Sequence, residues 1–370
     1  MQSVTLLGTE LSSPTSGQAR FLYNMARGLS ATGVAVSVVL YGEGGERARR
    51  LESAGVRVSA LGHDPSSRSG RFRRMTRLNE AGEVVAAEVR RQDPTTWYVV
   101  LSDDLVSAVR GRFHGRWAYL SNGDMALLLL NRTFVGADRL PRELVGLGAA
   151  DLLRSHARDA ERYDLLLANS GFTRQLMSYL YGVPFQGAVY PPVDVQTFHP
   201  GSASDRGEFV LAVARNRSEQ GLPLIADIAR DLPVRVVGGA HVDGATSLGT
   251  VPDEELADLY RKAAFLAFPA LSEPFGYAVA ESLCCGTPAL TFDIGGPGEL
   301  VRLHGGGWTV GSTAEFVDRG RRPLAEVQST ELRRNAASAA AEVSIDASAR
   351  ALAAYLRISP PPGPSDRTPA

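Results

Sequence analysis

The sequence predicts an α/β chain built as two parallel-sheet halves. Short β-branched runs alternate with amphipathic stretches along most of its length, which is the rhythm of βαβ units. The series breaks once, at Tyr190-Pro191-Pro192-Val193-Asp194 and the polar, Gly/Ser/Pro-rich stretch Gln196 to Glu208, and then begins again. Consecutive prolines end regular structure and stiffen the chain, and a polar stretch after them reads as a linker. With 370 residues, 44% of them hydrophobic, the chain is too long for one small domain and can fill two cores.

In the first half, Val4 to Leu7 reads as a strand. Gln18 to Thr32 reads as a helix, with Ala19, Leu22, Met25, Ala26 and Leu29 on one face and Gly33 as its stop. Strands follow at Val34 to Leu40, Val56 to Leu61, Trp97 to Leu101, Trp117 to Leu120 and Tyr163 to Ala168, with a long helix from Arg142 to Arg162 before the last. Ser170 can cap a helix from Gly171 to Tyr181. In the second half, Phe209 to Ala214, Val234 to Val237, Phe265 to Phe268 and Ala289 to Phe292 are strands. Pro223 suits a first helical turn. Asp253 is expected to cap a helix running to Ala264, and further helices are expected at Gly276 to Cys285, Leu324 to Val343 and Ser344 to Arg357. The implied domains are 1–195 and 196–345, then a helix at 346–358 that packs back on the first domain, and a disordered tail at 359–370.

Composition removes several functions. A net charge of −1 gives no global positive field to hold nucleic acid. No window reaches the ~18 apolar residues of a membrane span; no run is longer than that from Met125 to Leu130, which is far shorter. No leader is expected from the N-terminal residues, and the adjacent Cys284 and Cys285 fit a buried role in a reducing compartment, so a cytoplasmic protein is expected. The six histidines are scattered singly, and Ser102-Asp103-Asp104 reads as a helix cap, so no metal is expected. Gly8 to Gly17 contains no G-x-G-x-x-G and the chain no G-x-S-x-G, so neither a nicotinamide cofactor nor a serine nucleophile is expected. Arg68, Arg71, Arg73, Arg74 and Arg77 are read first as a solvated loop charge, with an anionic lipid surface as the alternative.

The chemistry concentrates in Ser272-Glu273-Pro274-Phe275-Gly276-Tyr277-Ala278-Val279-Ala280-Glu281. The segment follows a strand, where ligands bind in open α/β sheets. Gly276 permits close backbone approach, the helix start offers N–H groups to phosphate or sugar oxygens, and carboxylates accept paired sugar hydroxyls. This segment resembles the Glu-x7-Glu motif of retaining GT-B glycosyltransferases of family 4. Leu248-Gly249-x-Val251, Glu281-Ser282-Leu283-x-x-Gly286-Thr287-Pro288 and Gly295-Gly296-x-x-Glu299 share the likeness, which is strong over residues 209 to 310.

That resemblance implies a GT-B architecture, two Rossmann-like domains facing across a cleft. It also implies a nucleotide-sugar donor such as a UDP- or GDP-sugar, a hydroxyl acceptor and no cofactor. Glu273 would contact the donor sugar, Phe275-Gly276-Tyr277 the sugar and diphosphate, and Glu281 the ribose. Arg215 would contact the diphosphate, and Val251 and Gly17 would complete the donor side. Where the family has a Lys after that Arg, this chain has Gln220, with Arg217 nearby as a possible substitute. Ser16-Gly17 stands for the family's Gly-Gly pair, and Asn122 and Asp124 stand where a His is usual. Ser16, Asn122 and Asp124 are therefore acceptor-side candidates, with an ordinary Asn-Gly turn as the equal alternative. Hexosyl transfer to a specialised metabolite or small glycoside is the expected activity. The alternative is a sugar-nucleotide-binding protein of the same fold acting as a non-catalytic partner, an epimerase or a phosphorylase.

Overall fold

The computed structural model describes residues 2–13, 16–62, 85–90, 97–106, 115–123, 154–201, 207, 209–215, 221–271, 273–322, 324 and 329–358. The Arg68–Arg77 stretch, Asp124, Arg217, Gln220, most of the expected helix from Arg142 and the tail from 359 lie outside them. The described residues fall into two compact units. One runs from the N-terminus to Pro192 and takes in the chain again from Ile345; the other runs from Val193 to Ser344.

The first unit is a wholly parallel sheet of β1 (Ser3–Gly8), β2 (Ala35–Leu40), β3 (Arg57–Ala60), β4 (Trp97–Val100), β5 (Arg116–Ser121), β6 (Leu165–Ala168) and β7 (Gly187–Ala188), in the order β3-β2-β1-β4-β5-β6-β7. Its middle strands bury nearly every residue, as a parallel sheet covered on both faces must. Helix α1 (Gly17–Ala31) lays Phe21, Leu22, Met25 and Leu29 on the sheet. Gly28 of α1 lets the C-terminal helix, Ile345–Tyr355, approach closely: a Cβ there would stand 2.8 Å from the Ile345 carbonyl oxygen. Ala349, Leu352 and Leu356 of that closing segment complete the same core.

The second unit repeats the plan with β8 (Val210–Val213), β9 (Val234–Val237), β10 (Thr246–Gly249), β11 (Phe265–Phe268), β12 (Ala289–Phe292) and β13 (Gly307–Val310), all parallel, in the order β10-β9-β8-β11-β12-β13. Its helices used below are α2 (Leu222–Ala229), α3 (Asp253–Lys262), α4 (Tyr277–Cys284), α5 (Gly295–His304) and α6 (Thr330–Ala337).

Five readings change. The start of the expected linker is packed, because buried Phe198 meets Tyr260 edge-on and Arg261 donates to the Thr197 and His199 carbonyls. The chain passes between units earlier, at 192–193. The single helix expected from Leu324 to Val343 is instead α6 and a short turn at Ala340–Val343, since Ser329 caps the start of α6 and Ser338 at its end bonds back to the Asn335 carbonyl. Pro252, not Asp253, occupies the N-cap of α3, and Asp253 is its first helical residue. Finally, α5 went unread because Gly295-Gly296-Pro297-Gly298 looks like a turn, yet these residues form its first turn.

Arg333 of α6 is buried and donates to the Ala263 and Gly286 carbonyls at 3.0 and 3.2 Å. These oxygens lie at the C-terminal ends of α3 and α4, where unpaired carbonyls concentrate negative charge and a guanidinium is well placed. Arg333→Met keeps the bulk and leaves those carbonyls unpaired. It should destabilise the fold by about 2–3 kcal/mol, seen as a lower thermal midpoint. Cys284 and Cys285 are fully buried free thiols. Burial raises both, Cys285 to about 12, so neither forms the reactive thiolate near neutral pH. Ellman's reagent should find no thiol in the native protein and both after denaturation.

Candidate functional site

The order β10-β9-β8-β11-β12-β13 places the topological switch of the second unit between β8 and β11. The loops leaving the carboxyl ends of these two strands diverge there and open the crevice in which α/β sheets bind ligands. Arg215 leaves β8, and Glu273 stands in the loop leaving β11.

The β8 loop is fixed by its neighbours. Ala214 donates to the Val237 carbonyl at 2.8 Å and accepts from Ala240 N–H at 3.2 Å. Gly238 has φ +106, and a Cβ on it would stand 2.6 Å from the Ala214 oxygen, so only glycine lets the β9 loop close on the root of Arg215. Arg215 itself is exposed. The chain returns at Gly221, the left-handed cap of α2, which presses on the Pro269 carbonyl just beyond β11.

The β11 loop is shaped by α5. Gly296 N–H donates to the Glu273 carbonyl at 3.1 Å. A Cβ on Gly295 would stand 2.6 Å from that same oxygen, and one on Gly296 would collide with Pro274 O and Phe275 Cα. Gly276 is left-handed, with φ +84, and caps α4. Phe275 is buried edge-on to Tyr277, with ring centroids 5.3 Å apart, and Tyr277 opens the helix. Glu273 is half-buried. Backbone, a helix N-terminus and a carboxylate thus share one edge of the sheet.

Glu281 lies four residues beyond Tyr277, roughly 6 Å along the helix axis, and only 3% of it is exposed. Helical side chains lean toward the N-terminus, which carries its carboxylate back toward the loop. Its Oε2 accepts a hydrogen bond from the Tyr260 hydroxyl at 3.3 Å. Val251 follows β10, on the far side of β9 from Arg215.

In the first unit the corresponding switch lies between β1 and β4. Ser16 is the N-cap of α1, its hydroxyl accepting from Ala19 N–H at 3.2 Å, and Gly17 is the exposed first residue of that helix. Asn122 is buried after β5; its Nδ2 donates to the Leu101 carbonyl at 2.6 Å, and its own carbonyl accepts from Asn169 Nδ2 at 3.1 Å. Its side-chain amide therefore ties the end of β5 to that of β4, and its backbone carbonyl ties it to that of β6. Beside it, Ser102 Oγ and Asn169 Oδ1 are buried with no hydrogen-bond partner.

Of the residues expected from sequence, Arg215, Glu273, Phe275, Gly276, Tyr277 and Glu281 share the β8/β11 edge of the second unit. Ser16, Gly17 and Asn122 belong to the first unit, and Asp124 and Gln220 lie outside the described residues. Tyr260, Gly221, Ser102 and Asn169 were missed. Tyr260 follows Leu256 and Leu259 on the apolar face of α3, where its pattern reads as core. Among the described residues there is no group of three or more His, Cys, Asp or Glu able to hold a metal, and no helix long and apolar enough to cross a membrane.

Comparison with known proteins agrees with this fold. Residues 241–343 match the family model described as Glycosyl transferases group 1. A D-inositol 3-phosphate glycosyltransferase of Nocardiopsis dassonvillei is 31% identical over 202 residues, covering 41% of this chain and 47% of that protein. One of the same name from Frankia alni is 25% identical and covers 68% of this chain and 76% of its own length. The chain spans less than half the length of most of the curated relatives it matches. Sucrose-phosphate synthase from Thermosynechococcus elongatus superposes with a TM-score of 0.74 at 18% identity, covering 96% of this chain and 98% of that one. Anabaena HepE in complex with UDP superposes with a TM-score of 0.71 at 17% identity, covering 96% of this chain and all (100%) of that one. The fold is that of GT-B glycosyltransferases.

The loop around Glu273 has no room for a methyl group. Gly296→Ala should push Pro274 and Phe275 outward, destabilising the fold by about 1–3 kcal/mol, seen as a lower thermal midpoint.

Proposed function

We propose, from the premise that this chain carries the segment of the glycosyl transferases group 1 family on a GT-B fold, that it is a retaining, metal-independent hexosyltransferase. It moves a sugar from a UDP- or GDP-sugar to a hydroxyl of its acceptor and needs no cofactor besides that donor. The observation that carries this is the convergence of Arg215, Glu273 and the start of α4 on one switch point, with Glu281 one turn below. A guanidinium suits bidentate contact with a diphosphate. N–H groups at a helix start suit its oxygens, and carboxylates suit ribose and hexose hydroxyls. That Anabaena HepE is described with UDP and with UDP-glucose supports a uridine donor.

In the mechanism that follows, Glu273 holds the donor sugar and Glu281 the ribose. Arg215 and the helix-start amides stabilise charge as it builds on the leaving diphosphate. A diphosphate oxygen takes the acceptor's proton while the new glycosidic bond forms on the face the diphosphate leaves, so no separate base is required. We assign the acceptor to the first unit. A specialised metabolite or small glycoside is the broad class, and the names of the relatives favour a polyol phosphate within it. The unpartnered Ser102 Oγ and Asn169 Oδ1 suit hydroxyl groups. A cytoplasmic location belongs to the same reading. Gln220 in the family's Lys position motivates the second reading, a binding protein, epimerase or phosphorylase with altered chemistry.

The first experiment is titration with UDP, GDP, ADP and dTDP. One nucleotide should bind at micromolar levels, and Glu281→Ala should weaken it at least tenfold, on the order of 1.4 kcal/mol. Glu273→Ala should lower turnover by about a hundredfold with nucleotide binding retained. Unchanged kinetics in both variants would rule the assignment out, and tight binding with no transfer to any acceptor would favour the second reading.

A further inference from the structure

We infer that Tyr260 is the positioning residue of the donor site: its hydroxyl orients the Glu281 carboxylate so that the ribose hydroxyls can be received. The inference rests on the donor-site reading above and adds to it a residue outside the Glu-x7-Glu segment.

Glu281 is a carboxylate almost wholly withdrawn from water. Such a group is costly to keep charged unless donors face it. The Tyr260 hydroxyl is such a donor, at 3.3 Å from Oε2. A carboxylate has about four lone-pair sites; this bond occupies one of them and restricts how the side chain turns. Glutamate is long and flexible, and ordering it at the moment of binding would cost about 1–2 kcal/mol of rotamer freedom. A preset partner removes part of that cost.

Tyr260 can perform this role because it is itself held. Its ring is fully buried and meets Phe198 edge-on at 6.1 Å between centroids. Its carbonyl accepts from Thr287 Oγ1 at 2.5 Å. Thr287 N–H in turn donates to the Ser282 carbonyl of α4, and Ser282 Oγ donates to the Thr287 carbonyl. One residue along, Arg261 anchors to the Thr197 and His199 carbonyls. Arg333 joins the ends of α3 and α4 beyond them. The phenol is therefore fixed with respect to the helix that carries Glu281.

The test compares UDP with 2′,3′-dideoxy-UDP, which lacks both ribose hydroxyls, by calorimetry on the full chain. Tyr260→Phe keeps the ring and its packing and removes only the hydroxyl. UDP should weaken about fivefold, one neutral hydrogen bond's worth, while the dideoxy nucleotide stays within about twofold. In a Glu281→Gln background, where the carboxylate's charge is gone, the same change should cost UDP little more. Equal losses for both nucleotides would mark a merely structural role and overturn the inference, as would no loss for either. If Glu281→Ala weakens UDP but Tyr260→Phe does not, this inference alone fails. If wild type binds no UDP, or Glu281→Ala leaves UDP binding unchanged, the donor-site reading fails and takes this inference with it.

Discussion

The candidate site depends on a close approach of two loops in which glycines meet backbone carbonyls and one proline ring. Gly295 and Gly296 at the start of α5 lie against the carbonyls of Glu273 and Pro274, and Gly276 lies against Pro297. One hydrogen bond, from Gly296 N–H to the Glu273 carbonyl, fixes the separation. Because no Cβ fits, the β11 loop is held at a single height above the sheet, and α4 starts where that loop ends. The directions of Glu273 and of the first amides of α4 follow from this. Glycine weakens a helix by about 1 kcal/mol at an interior position, but the first turn lacks intrahelical N–H bonds to lose. The cost of three glycines at the start of α5 is correspondingly small.

Below that contact a second constraint runs through side chains. A charged Arg333 and a carboxylate Glu281 are both buried in the same unit, each at a helix flanking β11 or β12. Arg333 donates to carbonyls at helix ends, and Glu281 accepts from a phenol. Helix-end carbonyls carry partial negative charge, which suits the guanidinium. The apolar packing of Phe198, Tyr260 and the two buried cysteines around this region lowers the local dielectric and strengthens each of those bonds.

The sheet of the second unit was legible in the sequence to within a residue or two for β8, β9, β11 and β12, because buried parallel strands print as continuous Val, Leu, Ala and Phe runs. Its edge strands, β10 and β13, were not. Thr246–Gly249 and Gly307–Val310 are only partly buried and carry Thr, Ser and Gly, so they lack that signature. The run from Glu273 to Glu281 was legible for a local reason, since loop, cap and helix are consecutive in the chain. Tyr260 was not, because it reaches Glu281 across 21 residues and sits in an apolar face that core packing alone explains. Phe198 and Arg261 show the same limit in reverse: a segment whose composition reads as linker is pinned by two side chains whose partners are about sixty residues away.

The first unit was harder to read for a different reason. The loops of the candidate site in the second unit are held by glycines, and a glycine announces its position in the sequence. At the carboxyl edge of the first unit Ser102, Asn122 and Asn169 are buried polar residues that by type are ordinary turn residues. Only the hydrogen bonds separate their roles. Asn122 uses its amide to bind the Leu101 carbonyl, so it serves first to hold the ends of β4, β5 and β6 in register. Ser102 Oγ and Asn169 Oδ1 have no such partner. A buried polar atom without a hydrogen bond costs about 1–3 kcal/mol, and two of them flanking Asn122 shift the weight of any ligand recognition at this edge from Asn122 to its neighbours.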